Sequence, residues 1–360
     1  KYRQIRNRIL AFPDITQLLN QIKSILMNNK FYLSKLILAD IEFREKNFNK
    51  SYEIIKKYSG DERDLISFID NLIINKEYDL VQIVIKDILE GESTTKIIEE
   101  AIIQLAQVYQ NIIKLNEYTL PITSQIVKND LLKSPYIKIN PDQVSFLYKA
   151  INIYDSLRIN INNIASTYQL AEIQYKILGD LDNANKLYQN IIDKTNSDYK
   201  VQSILKTIDI MIAKGNLNLA NQTIDKYRNH TIPESLFLVK KAQILFYLNE
   251  WEKLKTHNKE YLKKDIKNET YYNDILKITN NIILFNNDEK NLNKYSEAKL
   301  KLFQNKRTES IEILQSLISN HNIEISNKIK FDLAVLQLNH GNIENALQTL
   351  NTSETNTAYT

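Results

Sequence analysis

The chain has 360 residues, with five glycines, five prolines and no cysteine. Disulfides, thiolate metal sites, cysteine nucleophiles and iron–sulfur clusters are therefore excluded, collagen-like and Pro-rich architectures are excluded too, and a turn-dense β-sandwich is disfavoured. Lysine plus arginine (47) nearly cancel aspartate plus glutamate (43), leaving a net charge of +4, short of the clustered excess that marks a dedicated nucleic-acid binder.

The N-terminus carries one basic cluster, Lys1, Arg3, Arg6 and Arg8. It reads as a solvated helix face or a junction rather than as a phosphate contact. Beyond it the dominant apolar period is helical, in segments of helix length between breakers. Two short corners follow, Lys46-Asn47-Phe48 ahead of Ser51 and Lys76-Glu77-Tyr78 ahead of Val81. Ile97 to Leu115 is the most apolar helix, with Ile102, Leu105, Ala106 and Tyr109 on one face. Glu99 and Glu100 interrupt it, and no uncharged apolar run reaches the roughly 18 residues of a membrane span. A corner at Asn116-Glu117-Tyr118 runs into Pro121.

Pro121, Pro135 and Pro141 mark an irregular break near 121–141. Ser134–Pro141 cannot be a regular helix, because proline removes a donor and restricts the residue before it. The expected organisation is an N-terminal helical array over 1–134, a boundary loop over 135–141 and a C-terminal array over 142–350, opened by an amphipathic helix from Asp142 to Arg158. Residues 351–360 are polar and Thr-rich, and a disordered tail is expected there. No polar capping helix follows Leu350, so the array is expected to continue in sequence beyond this chain.

The strongest signal is internal repetition. Gly179-Asp180-Leu181-Asp182-Asn183-Ala184, Gly215-Asn216-Leu217-Asn218-Leu219-Ala220 and Gly341-Asn342-Ile343-Glu344-Asn345-Ala346 share one pattern. Weaker copies stand at Asn249-Glu250-Trp251 ahead of Leu254 and at Asn305-Lys306-Arg307 ahead of Ser310. The Gly is expected to end one helix in the left-handed conformation. The Asp or Asn is expected to cap the next helix. The alanine allows close helix approach, where a larger side chain would overpack. Arg307 stands where an apolar residue should cover the turn, so that unit is expected to be weak.

These residues resemble the tetratricopeptide repeat, an antiparallel helix pair of about 34 residues. Tyr168, Ala171, Tyr175, Gly179, Ala184 and Tyr188 fall on family positions, and Ala220, Ala242 and Ala346 match in other units. The resemblance covers about two thirds of the chain. It implies an all-α solenoid of stacked helix pairs, a superhelix whose concave groove is lined by the first helix of each pair. Carried over, the groove positions are Gln169, Ile173 and Lys176, then Leu205, Asp209 and Ile212, then Val239, Gln243 and Phe246. The clamp that some family members use for chaperone C-terminal carboxylates needs Lys and Asn at the first two of these places. Gln169 and Ile173 stand there instead, so that ligand is rejected.

No catalytic, metal-ligating or cofactor-binding residue is identified. His230, His257, His321 and His340 are not at helical metal-pair spacing, and His340 reads as a helix C-terminal cation. There is no Gly-rich phosphate loop and no nucleophile elbow. Acidic neighbours such as Asp61-Glu62 and Glu99-Glu100 form no identifiable pair for acid–base work. Tyr109, Tyr154, Tyr175, Tyr188, Tyr227 and Tyr261 lie in apolar helical patterns and read as core packing rather than as base-stacking platforms.

The expected function is a non-enzymatic scaffold holding a protein or peptide partner in its groove. The alternatives are a nucleic-acid-binding regulatory repeat, or the recruiting arm of a larger enzyme or envelope complex. The Asn- and Lys-rich, Cys-free composition resembles bacterial members of the family. Those are cytoplasmic or tethered to an envelope membrane, here through a segment outside this sequence. The residues do not separate the two locations, and they do not fix the oligomeric state.

Overall fold

A computed structural model describes residues 16–113, 131–228, 231–263, 271–285, 288–319, 322–339 and 341–351, together with residues 4, 7 and 8. The expectations for Lys1, Arg3 and Arg6, for the corner at 116–118 with Pro121, for His230, His321 and His340, and for the tail from 352 onward lie outside the described residues. Among the described residues there are eighteen α-helices and no strand. The residues group into two compact units, one drawn from 1–114 and 141–157, the other from 115–140 and 158–360.

In the first unit the helices are α1 (Thr16–Asn28), α2 (Tyr32–Arg44), α3 (Phe48–Tyr58), α4 (Glu62–Ile74), α5 (Tyr78–Glu90) and α6 (Thr95–Ile112). Each packs on the next in sequence from α1 to α6, and α4 also meets α6. A three-residue 3₁₀ turn, Pro141–Gln143, leads into α7 (Val144–Ile161), so the helix begins just past the proline that fixes the turn. Tyr154 of α7 donates to Gln110 Oε1 at 3.0 Å. The core is aliphatic and aromatic, with Phe68, Ile69, Leu72, Val81, Val84 and Ala101 inside it.

The second unit holds α8 (Ile164–Ile173), whose last turn widens into a π-turn at Gln174–Leu178, then α9 (Leu181–Lys194), α10 (Asp198–Ala213), α11 (Leu217–Tyr227), α12 (Glu234–Tyr247) and α13 (Trp251–Lys263). It continues with α14 (Tyr272–Leu284), α15 (Glu289–Phe303), α16 (Arg307–Leu317), α17 (Ile323–Leu338) and α18 (Ile343–Asn351). Sequential neighbours pack from α8 through α14 and again from α15 through α18, while α12 also meets α15. This is the stacked, all-α arrangement that the repeated corners predict.

The corners share one geometry. Gly179, Gly215 and Gly341 have φ of 68°, 81° and 77°. Lys46, Lys76, Asn249 and Asn305, the first members of the weaker copies, have φ between 58° and 63°. Asn162, not singled out by the sequence pattern, adopts 51° two residues before α8. The hydrogen bonds are those of a Schellman motif. Glu77 N donates to Leu72 O at 3.0 Å, Asn216 N to Met211 O at 2.8 Å, Glu250 N to Leu245 O at 3.1 Å and Asn342 N to Gln337 O at 3.0 Å. Five residues after each left-handed residue stands a side chain at most 2 % exposed: Ser51, Val81, Thr167, Ala184, Ala220, Leu254, Ser310 and Ala346.

Two expectations need correcting. Asp180 caps α9 by accepting from Asn183 N at 3.0 Å, but Asn216 makes no side-chain cap. Its ψ of 55° is far from extended, so the side chain is not aimed at the first free N–H groups, and the main-chain bond to Met211 O holds the corner instead. Arg307 does not spoil its corner. Lys306 N still donates to Lys301 O at 2.8 Å and Asn305 N to Leu302 O at 3.2 Å, so backbone closure does not depend on an apolar cover.

Two results are expected from the corners. A left-handed non-glycine residue costs roughly 1–2 kcal/mol, while glycine adds about 0.5–1 kcal/mol of unfolded-state entropy. Lys76→Gly should therefore raise stability by about 0.5–1 kcal/mol in urea denaturation; a lower midpoint would contradict this reading. Ala184 is fully buried between α8 and α9, among Tyr168, Tyr175 and Tyr188. Ala184→Leu should lower stability by about 1–3 kcal/mol through overpacking, and an unchanged midpoint would show that the contact is not close.

Candidate partner-binding face

The carried-over groove positions lie on three first helices of the second unit. Gln169, Ile173 and Lys176 are on α8 and its π-turn, Leu205, Asp209 and Ile212 on α10, and Val239, Gln243 and Phe246 on α12. Six of the nine, Ile173, Asp209, Ile212, Val239, Gln243 and Phe246, are at most 6 % exposed. Gln169, Lys176 and Leu205 are half-buried. Ile212, Val239 and Phe246 belong to one apolar core cluster. The reason is periodicity: a stripe at i, i+4, i+7 serves a core face as well as a groove face, and these apolar members turn inward.

The polar members form a connected set. Asp209 pairs with Lys240 at 2.5 Å and with Lys206 at 3.5 Å. Lys240 also donates to Gln243 Oε1 at 2.7 Å, and Gln243 Nε2 donates to the carbonyl of Leu131 at 2.5 Å. An ammonium group only donates, so Lys240 fixes the orientation of the Gln243 amide and leaves its N–H to face a main-chain carbonyl. On α8, Glu172 accepts from Tyr188 at 2.6 Å and is paired with Lys176.

The carbonyl that Gln243 meets belongs to the irregular stretch 131–140, of which sequence reasoning placed 131–134 at the end of the N-terminal array and 135–140 in the boundary loop. Leu131 and Leu132 are 5 % and 3 % exposed and join the same core cluster as Phe246. Tyr136 meets Tyr175 edge-on at 5.8 Å between ring centroids. Ile137 N donates to the Lys176 carbonyl at 2.8 Å. The stretch therefore lies across the first helices, from α12 to the end of α8. One signal was present in the sequence: a stretch unable to form helix yet carrying Leu131, Leu132, Tyr136 and Ile137 is too apolar for an exposed loop.

Charge on this face is tuned. Burial opposes ionisation of Asp209, but Lys240 and Lys206 more than offset it and hold the carboxyl below the usual carboxylate range. A carboxyl whose folded pKa is depressed contributes stability above its unfolded pKa, about 3.9, and that contribution is lost as the pH falls through the folded value. The melting temperature of the parent should therefore fall on acidification from about pH 5 to about pH 2, with a shallower fall in Asp209→Asn; equal slopes would remove Asp209 from the account.

The remaining candidates are structural. Tyr154, Tyr175, Tyr188 and Tyr261 are buried and unavailable for base stacking, while Tyr109 and Tyr227 are half-buried. His257 is half-buried, its ring nitrogen donating to the Leu238 carbonyl at 2.7 Å, and desolvation lowers its pKa. Among the described residues no group of three or more His, Asp or Glu side chains is placed to hold a metal ion. No described helix is long and apolar enough to cross a membrane.

Comparison with known proteins matches residues 165–194 to the tetratricopeptide repeat family. That interval covers most of α8, the Gly179–Asp180 corner and α9, the unit where the sequence pattern is strongest. No curated protein matches the chain. Among solved structures, the crystal structure of the P58(IPK) tetratricopeptide-repeat domain aligns over 99% of both chains at 13% identity, with a TM-score of 0.22. A superposition that loose says nothing about ligands or partners.

Proposed function

We propose that this chain, a tetratricopeptide-repeat protein, is a non-enzymatic scaffold whose second unit holds a segment of a protein partner against the first helices α8, α10 and α12. Folds of this kind are commonly protein-interaction scaffolds, since stacked helix pairs bury a continuous core and leave long surfaces for contact. The observation that carries the reading is the Gln243 amide, nearly buried, oriented by Lys240 and presented to a main-chain carbonyl. A donor placed this way recognises peptide backbone whatever the side chain, while the apolar cluster around it accepts aliphatic residues. Asp209 sits between Lys206 and Lys240, and its role in this reading is to position those lysines.

The test is site-specific photo-cross-linking in cells that make the protein. A cross-linker at Lys176 or Leu205, at the edge of the face, should capture a polypeptide adduct that protease destroys and nuclease spares. The same cross-linker at Lys186, exposed on α9, should not capture it. A nuclease-sensitive adduct, or equal capture at Lys186, would overturn the assignment.

A further inference from the structure

We propose that residues 131–139 are an internal ligand of the α8–α10–α12 face, and that the partner takes their place with an extended segment of like chemistry: two adjacent bulky aliphatic residues, then a proline and an aromatic residue. This rests on the scaffold reading and adds the partner's chemistry and its regulation.

The segment is held as a bound peptide is held. Two of its main-chain groups are engaged, the Leu131 carbonyl by Gln243 and the Ile137 N–H by the Lys176 carbonyl. Both receiving groups are ones the helices leave over. Lys176 lies in the last turn of its helix, where no later N–H of that helix reaches its carbonyl; Asp180 N goes instead to Gln174 O at 2.8 Å. The Gln243 Oε1 is taken by Lys240, so only its N–H is left to give. Backbone contacts of this kind accept many sequences, and specificity then falls on the side chains. Leu131 and Leu132 are buried, and Tyr136 lies against Tyr175, whereas Lys133 and Lys138 are exposed.

The reach is consistent. Six extended residues span about 20 Å. Packed helices stand about 8–10 Å apart, so two steps, from α12 over α10 to α8, need about the same distance. The 131–139 stretch, bent at 131–133 and neither bent nor helical from 134 on, thus crosses the face as a strap. Because it is covalently attached, it competes at high effective concentration. A partner's apparent affinity is lowered by the fraction of molecules whose strap is released.

The experiment uses the full chain and a synthetic peptide of residues 131–140, fluorescently labelled at its C-terminus. The doubly substituted chain, Leu131→Ser with Leu132→Ser, should bind this peptide at least tenfold more tightly than the parent chain. Adding Gln243→Ala to that chain should weaken binding at least tenfold. Equal affinities in all three would overturn the proposal. Hydrogen exchange on the unsubstituted chain covers the case in which the variants unfold. Saturating unlabelled peptide should speed exchange of the 131–139 amides at least tenfold while leaving the interior amides of α10 and α12 unchanged. Strap amides that exchange no faster with peptide, or only together with the helices, would overturn it. Peptide binding without any cross-linked cellular polypeptide would leave the strap proposal standing and defeat the scaffold reading. A cross-linked partner with an immovable strap would do the reverse.

Discussion

Phe246→Ala should destabilise the second unit by about 3–5 kcal/mol, the range for removing a buried phenylalanine ring and leaving its cavity. Phe246 is fully buried on α12. Its ring meets Tyr247, Trp251 and Tyr295 edge-on at centroid distances of 5.8, 5.6 and 6.4 Å. Its carbonyl accepts from Ser296 Oγ on α15 at 2.8 Å, so the residue joins two helix pairs through ring and backbone together. Relaxation is restricted because the surrounding rings are large and held elsewhere, Tyr247 against Phe303, Tyr295 against Phe285, and Trp251 by its hydrogen bond to Asn293. Phe246→Leu, which keeps most of the volume, should cost less than about 1.5 kcal/mol. Urea denaturation of both variants tests the assignment. If Phe246 were a surface contact for a partner, alanine would leave the midpoint unchanged and weaken binding alone.

That contrast shows where sequence reasoning stopped. The corners were legible because a left-handed residue, a following cap position and a small buried residue sit at fixed offsets within one short window. Even Lys46 and Lys76 could be placed from their surroundings, although lysine gives no intrinsic sign of positive φ. Asn162 was missed although the residue at its offset, Thr167, is buried like the others. The first-helix positions came from the family resemblance, and a stripe at helical spacing does not say whether it faces core or solvent. Ile173, Ile212 and Phe246 follow the core. Gln243 is polar and nearly buried because of a contact with Leu131, 112 positions away, which leaves no local period to read. Lys240 was invisible for the same reason, since its partner Asp209 stands on another helix, whereas Lys206 lies three residues before Asp209 on α10 itself.

Asp332→Ala should cost about 3 kcal/mol, the low end for removing one member of a buried ion pair. Asp332, on α17, lies between Lys299 of α15 at 2.8 Å and Lys328 one turn earlier on its own helix, and it accepts from Tyr295 at 2.7 Å. The three charged side chains are 11–15 % exposed. Burial works against the carboxylate, yet the two ammonium groups offset it and hold the acid below the usual carboxylate range. Alanine would leave those two ammonium groups facing each other without the carboxylate between them, and their repulsion is little screened at such exposure. Asp332→Asn keeps acceptor capacity but not the charge, so it should fall between parent and alanine. Replacing the charged cluster as a whole, with Lys299→Met, Lys328→Met and Asp332→Leu together, should recover most of the loss, because no uncompensated charge then remains. If the triple variant proved as unstable as Asp332→Ala, the penalty would come from packing at α15 and α17, and the electrostatic account of this cluster would be wrong.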